Sequence, residues 1–454
     1  MTNPRHWLQS RVIAAFEALG LEARWGEVRV SDRPDLADYQ CNGALGAAKA
    51  QKQNPRVLAD SLALTLRESL ADVEIAVAGP GFLNFRLART RITEHLRLAG
   101  EAGGLGLAPP LRKRIVMDYG GPNIAKPMHV GHLRSALIGE SLKRMARALG
   151  AEVIADIHMG DWGRQMGMVM FGVRERAPGL PYFDDGFKGS YPEQSPVSLS
   201  NLEEIYPLVT ARAEAEPEVM ETVRRMTIEL QQGRPGYRAL WDHIARLSVE
   251  DMRADYARLG VSFDQWFGES RYEPRLPSLI DELIASGIAQ ESDGALIIQV
   301  AQEGDKKEMP PVILRSKEGA TLYHTTDLAT IEERVKTFGA ELVLYVVDIR
   351  QALHFEQVFR AAHKAGIAGN AELEHLGFGT MNGADGKPFK TRAGGVLKLK
   401  DLIDSLIEAA RARMAETERS DNLSIAEMAR VAELVAVATL KFADLQHDRR
   451  SNYI

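Results

Sequence analysis

Over residues 5–20, apolar side chains recur at helical spacing (Trp7, Leu8, Val12, Ile13, Phe16, Leu19), and the run stops at Gly20. The chain therefore opens on a helix. A polar stretch with Asp38-Tyr39-Gln40 precedes an alanine-rich helix over 43–52, and a further helix spans about 57–70. Alternation then takes over. Residues 73–77 and 82–87 read as strands around the turn Gly79-Pro80-Gly81. These elements make a small α+β unit, and the Gly/Pro-rich stretch 103–110 reads as a linker.

Past the linker the period changes. A short apolar strand at 114–119, a Gly-Pro loop, a long helix from about 131 to 149 and a strand at 153–157 begin a doubly wound parallel sheet. From about 175 to 310 the pattern is helical, punctuated by proline, glycine and a loop at 184–196. Strands resume at 312–315, 342–347 and 376–379, with helices at about 328–337 and 353–366 between them. Amphipathic helices at 399–416 and 424–445 close the chain. The expected fold is thus α/β: a Rossmann-type sheet split by a helical insertion, an N-terminal α+β domain and C-terminal helices. The expected boundaries are 1–108, 109–395 and 396–454.

Composition narrows the class. With 454 residues, 45% apolar and 26% charged, the chain is an ordinary globular protein of roughly three domains. Its one cysteine, Cys41, excludes a disulfide framework and cysteine-rich zinc sites, and fits a cytoplasmic location. No apolar run approaches a membrane span, and the opening MTNPRHWLQSRV lacks the core of a signal peptide. With 56 basic against 62 acidic residues there is no global basic field, so a nucleic-acid partner must be held by local patches.

The common nucleotide motifs are absent. Gly386-Lys387 runs into proline and makes no Walker A; no GxGxxG opens the first helix of the sheet, and no HExxH occurs. The first strand–helix junction instead carries Asp118-Tyr-Gly-Gly-Pro-Asn123-Ile-Ala-Lys126-Pro-Met-His129-Val-Gly131-His132. Two imidazoles flank a glycine at a helix mouth, where unpaired N–H groups and the dipole already favour phosphate. Gly131 lets a flat base or sugar approach the backbone, and Lys126 has the reach for a terminal phosphate. A lone histidine there would sooner cap the helix and pack locally. Two of them at the carboxyl end of a strand, with a lysine just upstream, point to an anion site. A second basic loop, 383–395, sets Lys387, Lys390 and Arg392 between glycines. It reads either as a flap closing on polyphosphate or as a solvated charged turn.

PNIAKP followed by HVGH, then GDWGRQMG at 160–167, GES at 268–270, LYHTTDLA at 322–329, DIRQALHF at 348–355 and DGKPFKTRAGG at 385–395, resemble the class I arginyl-tRNA synthetases. The resemblance spans essentially the whole chain. DYQCNG and GPGFLNF resemble that family's additional N-terminal tRNA-contacting domain, which implies tRNA contacts at Asp38, Tyr39, Gln40 and Asn42. The implied reaction is ATP-dependent activation of L-arginine to arginyl-adenylate and its transfer to the 3′ end of tRNA-Arg. ATP would enter with Mg2+, no metal would reside in the protein, and the chain would act as a monomer away from membranes.

On this resemblance His129 and His132 match the first class-signature motif and Lys387 to Thr391 a degenerate second one, which lacks the usual Lys-Ser ending. Lys126 would compensate, as the family's lysine upstream of the first motif does. His129, His132, Lys126, Lys387 and Lys390 would then stabilise charge on the transferring phosphate. His129, Gly131, His132, His354, Lys387 and Lys390 would hold ATP, although His354 could equally pack on Phe355. A guanidinium has five donors and no acceptor, so its reader must be anionic. Tyr323 and Asp327 match the family's guanidinium-reading pair, with Glu269 as a further carboxylate; alone, Asp327 could be a helix-start aspartate favoured by the dipole. Asp118, Asn123 and Gln351 match residues that hold the amino and carboxyl ends of the amino acid.

Two departures stand out. Gly120-Gly121 replaces the usual Ser-Ser or Ser-Ala before Pro-Asn, removing a hydroxyl from the substrate loop. The sequence also stops at Arg450-Ser-Asn-Tyr-Ile454, where relatives continue into an anticodon-binding domain. This reads as a truncation, or else as a natural short paralogue. A truncated form is expected to bind arginine and ATP yet charge tRNA-Arg poorly and with little anticodon selectivity. The competing functions are an arginine-activating paralogue with a non-tRNA acceptor and a catalytically silent tRNA-binding module.

Overall fold

The computed structural model describes residues 3–101, 111–317, 319–383, 386, 397–416 and 423–453. The chain divides into two compact units: residues 1–112 with 146–151, and residues 113–145 with 152–454.

In the first unit, α1 (Pro4–Ala18) and α3 (Pro55–Ser69) begin alike. An asparagine (Asn3, Asn54) caps two backbone N–H groups, and a proline occupies the first turn. Between them lie β1 (Arg29–Val30), β2 (Tyr39–Cys41) and α2 (Gly43–Gln51); β3 (Val73–Ala78), β4 (Phe82–Leu87) and α4 (Arg89–Glu101) follow. The strands form an antiparallel sheet in the order β1-β2-β4-β3. Leu83, Phe85 and Leu87 alternate inward from β4 and meet Leu8, Val12 and Phe16 of α1 and Leu58, Leu62 and Leu66 of α3 in one core. Tyr39–Cys41, expected as a polar stretch, is thus a sheet strand.

The second unit is built on a five-stranded parallel sheet. Its strands are β5 (Arg114–Tyr119), β6 (Glu152–Met159), β7 (Gln265–Gly268), β11 (Leu342–Val346) and β12 (Glu372–His375), in the order β12-β11-β5-β6-β7. The order reverses between β5 and β11, and the carboxyl ends of these two strands frame the crevice where doubly wound sheets bind ligands. Helix α5 (Val130–Ala148) follows β5, and α6 (Arg164–Arg176) follows β6. Helices α7 (Leu199–Ala215), α8 (Pro217–Gln231) and α9 (Pro235–Arg258) form the insertion. Val223 and Met226 of α8 and Ile205 and Val209 of α7 are buried, and Gly167 and Gly172 let α6 approach both helices closely.

Three details differ from the sequence-based expectation. The stretch 175–310, expected to be helical, contains the edge strand β7 and a hairpin of β8 (Gln290–Ser292) and β9 (Ala295–Ile298) after α10 (Leu276–Ala285). The strand at 312–315, β10 (Val312–Arg315), pairs antiparallel with β9 in a separate three-stranded sheet. A four-residue apolar run carries no information about which sheet it joins. The strand expected at 376–379 is β12, four residues earlier, and only Phe378 forms a lone bridge, to Asp348. Helix α11 (Tyr323–Lys336) is longer than expected; α12 (Ala352–Lys364), α13 (Leu399–Ala415) and α14 (Ile425–Leu445) complete the unit. Behind α14, Arg134 is buried against Asp444 at 3.0 Å and donates to the carbonyls of Gly379 and Ser451, which pins the end of the described chain beside the sheet. No helix among the described residues is long and apolar enough to cross a membrane.

Candidate active site

A cavity of about 260 Å³ opens at the carboxyl ends of β5 and β11. Its wall includes Asp118, Gly120, Gly131, His132, Ser135, His158, Asp327, Tyr345 and Asp348. The backbone reaches it through an unusual turn. Gly120 sits at φ +78°, where a Cβ would lie 2.9 Å from the Tyr256 hydroxyl and 3.0 Å from Phe263 Cζ. A Cβ on Gly121 would overlap the His158 carbonyl oxygen. Tyr256 donates its hydroxyl to the Gly120 carbonyl. The pair Gly120-Gly121 is therefore dictated by close packing, and the loop gets its hydroxyl from α5: Ser135 Oγ accepts the Gly120 N–H at 2.8 Å and donates to Val346 O at 2.7 Å. Gly120→Ser is expected to cost roughly 1–3 kcal/mol of stability, from strain and overpacking together. An unchanged thermal midpoint would show that this wall yields instead.

The two signature histidines are arranged as donors. Their rings stack with centroids 3.9 Å apart. His129 Nδ1 accepts the Gly131 N–H at 3.0 Å, and His132 Nδ1 accepts the His129 N–H at 3.2 Å. Each ring thus carries its proton on Nε2. Burial, then His129, then Lys126 push the His132 pKa down to about 3; burial and Lys126 also lower that of His129. Both rings are thus held toward the neutral form, with Nε2–H left to donate. The Lys126 ammonium stands 4.0 Å above the Tyr206 ring of α7, so the insertion supplies the surface that carries it. Met128 and Val130 bond to the backbone of Leu399 and Leu397, tying this motif to the chain that follows the second basic loop. Lys387 and Lys390 lie outside the described residues.

Asp327 also lines the cavity. Asp327, fifth residue of α11, lies past the first turn, which weakens a dipole explanation for it. Its Oδ2 is 2.7 Å from His354 Nε2, and His354 also packs edge-on to Phe355. His354 is therefore engaged with that carboxylate in this state. Burial pushes Glu269 up to about 7, opposed by His158 and reinforced by Asp161 and Asp327.

Asp118 lines the cavity but is already partnered. Arg334, fully buried on α11, donates one NH2 group at 2.7 Å to both Asp118 and Asp156. Asp118, Asp156 and Tyr345 occupy one row across β6, β5 and β11. Asn123, Lys126, His129, Glu269, Tyr323, Gln351 and His354 do not line the cavity. Asn123 bridges to Gly160, Tyr323 is 70% exposed, and Gln351 is exposed at the end of a short turn. In the first unit, Asp38 accepts the Leu87 N–H, Gln40 donates to Asn84, Tyr39 packs on the core and Asn42 is exposed. The sequence reading missed His158, whose buried Nδ1 has no hydrogen-bond partner among the described residues, as well as Ser135 and Arg334.

A switch-point crevice lined by His132 together with Asp118, Asp327 and Asp348 suits a nucleotide beside a cationic substrate. Sequence comparison agrees. Residues 98–454 match the family described as tRNA synthetases class I (R), catalytic domain, and residues 6–87 match the arginyl tRNA synthetase N terminal domain. The chain belongs to the class I arginyl-tRNA synthetases. It is 49% identical to an arginine–tRNA ligase of Hyphomonas neptunium over 100% of this chain and 78% of that protein. The solved arginyl-tRNA synthetase of Plasmodium falciparum superposes with a TM-score of 0.75 at 25% identity, covering 99% of this chain and 74% of that one. The Thermus thermophilus synthetase shares the fold, with a TM-score of 0.74 at 20% identity over 99% of this chain and 76% of that one.

Proposed function

We propose that this synthetase activates L-arginine with ATP and passes the arginyl group to the 3′ end of tRNA-Arg. The presence of the His132 Nε2–H donor and the Asp327 carboxylate in one cavity carries this reading. In the first step an arginine carboxylate oxygen attacks the α-phosphorus of ATP; the new O–P bond forms as the bond to pyrophosphate breaks. The three equatorial oxygens gain charge, and His129 and His132 donate to them without a proton transfer. Lys126 is assigned to the departing pyrophosphate, with Lys387 and Lys390 given the same task from the second basic loop. Mg2+ arrives with ATP as part of the substrate and screens its phosphates. No resident metal is proposed.

Asp327 and Glu269 read the guanidinium, whose planar fork requires acceptors. Asn123, Tyr323 and Gln351 are assigned to arginine from their motif positions and would have to close over it. Gly131 is likewise assigned to the nucleotide side and Asp118 to the amino end of the substrate, whereas His354 bonds to Asp327. In the first unit, Asp38, Tyr39, Gln40 and Asn42 are assigned to tRNA. The domain division at about residues 108 and 395 is retained as a working boundary. The cytoplasm suits a chain whose one cysteine, Cys41, is buried with its thiol pKa pushed up to about 11 by burial.

Glu269 gives the site a pH dependence. Guanidinium binding favours the ionised carboxylate, so arginine affinity should rise as pH increases through about 7 and fall below it. Glu269→Gln should remove this component; a parental pH profile in that variant would assign the dependence elsewhere. The reading as a whole is tested by arginine-dependent ATP–pyrophosphate exchange, with and without tRNA-Arg. Exchange driven by another amino acid in preference to arginine would overturn it.

A further inference from the structure

We infer that His354 is a positioning residue of the guanidinium site, holding the Asp327 carboxylate when arginine is absent and yielding it to the incoming guanidinium. The inference rests on the proposed role of Asp327 in reading arginine. The geometry is direct: His354 Nε2 lies 2.7 Å from Asp327 Oδ2, and both side chains are largely buried, at 26% and 22% exposure. The imidazole has little freedom to leave. Its ring lies 4.9 Å from that of His324 and 5.5 Å, edge-on, from that of Phe355.

Among the described residues, the charged and titratable groups around His354 are few. From α11 come Asp327 and His324, and from the turn after β7 Glu269 acts on Asp327. On the sheet side Phe355 separates His354 from His375, whose ring stacks on Phe355 and bonds to Val347 O. Burial pulls the His354 pKa down, but the bond to Asp327 and the charge of that carboxylate more than offset this, leaving it raised. His324 is lowered, by burial first and by His354 second. Below its raised pKa, His354 rests on Asp327 as an imidazolium.

The exchange that follows is balanced in charge. A guanidinium takes the carboxylate, the bond that raised the His354 pKa is lost, and the Nε2 proton leaves to solvent. One cation replaces another. A substrate whose side chain is neutral at the same position, such as citrulline, brings no charge to displace the imidazolium. His354 therefore adds selectivity for a cation to the attraction already supplied by the carboxylates. By linkage, protons compete with arginine, so arginine affinity weakens as pH falls below the raised His354 pKa.

The test is calorimetric titration of L-arginine into the 454-residue chain, between about pH 5.5 and 8, the range in which histidine titrates. Two buffers of different ionisation enthalpy count the protons released. Glu269 also releases a proton on binding, so the titration is run in Glu269→Gln as well. This variant should still release protons, with affinity falling about tenfold per pH unit below the His354 pKa. Adding His354→Gln, whose amide still donates to Asp327 but cannot titrate, should abolish the release and flatten the profile. At low pH, citrulline binding relative to arginine binding should be stronger in the His354→Gln variant than in the parent chain. If the double variant does not fold, the single His354→Gln chain should release fewer protons than the parent. Equal proton release by the parent and His354→Gln chains would overturn the inference. Asp327→Asn is titrated in parallel, and parental arginine binding there would overturn the underlying assignment of Asp327 instead.

Discussion

Replacing His132 by alanine should lower the rate of arginyl-adenylate formation by roughly 10²–10³, the usual cost of one donor aimed at developing charge. Arginine and ATP dissociation constants should change little, because the Nε2–H matters most when the equatorial oxygens of the phosphorus are most negative. His132 lines the cavity, and its Nδ1 is already taken by the His129 N–H, so the donor role falls to Nε2. With its pKa pushed to about 3, the ring is neutral throughout the working range, and its contribution should not fade as pH rises through 6.5. Pre-steady-state adenylation against pH measures both points. A variant that forms adenylate at the parental rate would remove His132 from the chemistry. Loss of activity in the parent chain with an apparent pKa near 6.5, traceable to His132, would instead require an imidazolium.

Asp327→Asn should strike arginine and spare ATP. Taking away one charge of a largely buried ion pair costs roughly 3–5 kcal/mol, because the guanidinium left behind is desolvated without its counter-charge. The amide also offers two donors where the guanidinium needs an acceptor. Equilibrium binding of each ligand alone separates the alternatives. A large loss for arginine with unchanged ATP affinity fits a reader of the guanidinium. Equal losses for both would mark Asp327 as a structural residue of α11, acting through His354 on the shape of the whole cavity.

Much of the scaffold was legible because its periods are plain. The strand–loop–helix–strand order around β5, α5 and β6 follows from short apolar runs separated by a Gly-Pro loop, and the two-histidine motif stands where such a fold places its ligand. What escaped was long-range pairing. Nothing in Val312–Arg315 says that it joins β9, and nothing in Gln265–Gly268 says that it edges the parallel sheet. The β8–β9 hairpin did carry a signal: Asp293-Gly294, both at positive φ, is a primed two-residue turn.

The site shows the same division. Motif positions pointed to His132 and Asp327, which line the cavity, but not to the partners that define their state. Asp118 in RIVMDY and Asp156 in EVIADIHM are carboxylates inside apolar strands, which burial makes costly unless a cation meets them. That cost implied a buried basic partner, and Arg334, two turns along the helix from Asp327, is that partner. The bond between His354 and Asp327 crosses from α11 to α12, and only tertiary packing reveals it.

The central claim is that arginine, activated by ATP in this cavity, goes to tRNA-Arg. The most direct measurement is charging of tRNA-Arg with radiolabelled L-arginine by this chain, beside its Asp327→Asn variant. The account predicts alkali-labile arginyl-tRNA that requires ATP, is lost with Asp327, and forms with no other amino acid. Arginine-dependent release of pyrophosphate without any charged tRNA, or charging that survives the loss of Asp327, would contradict it.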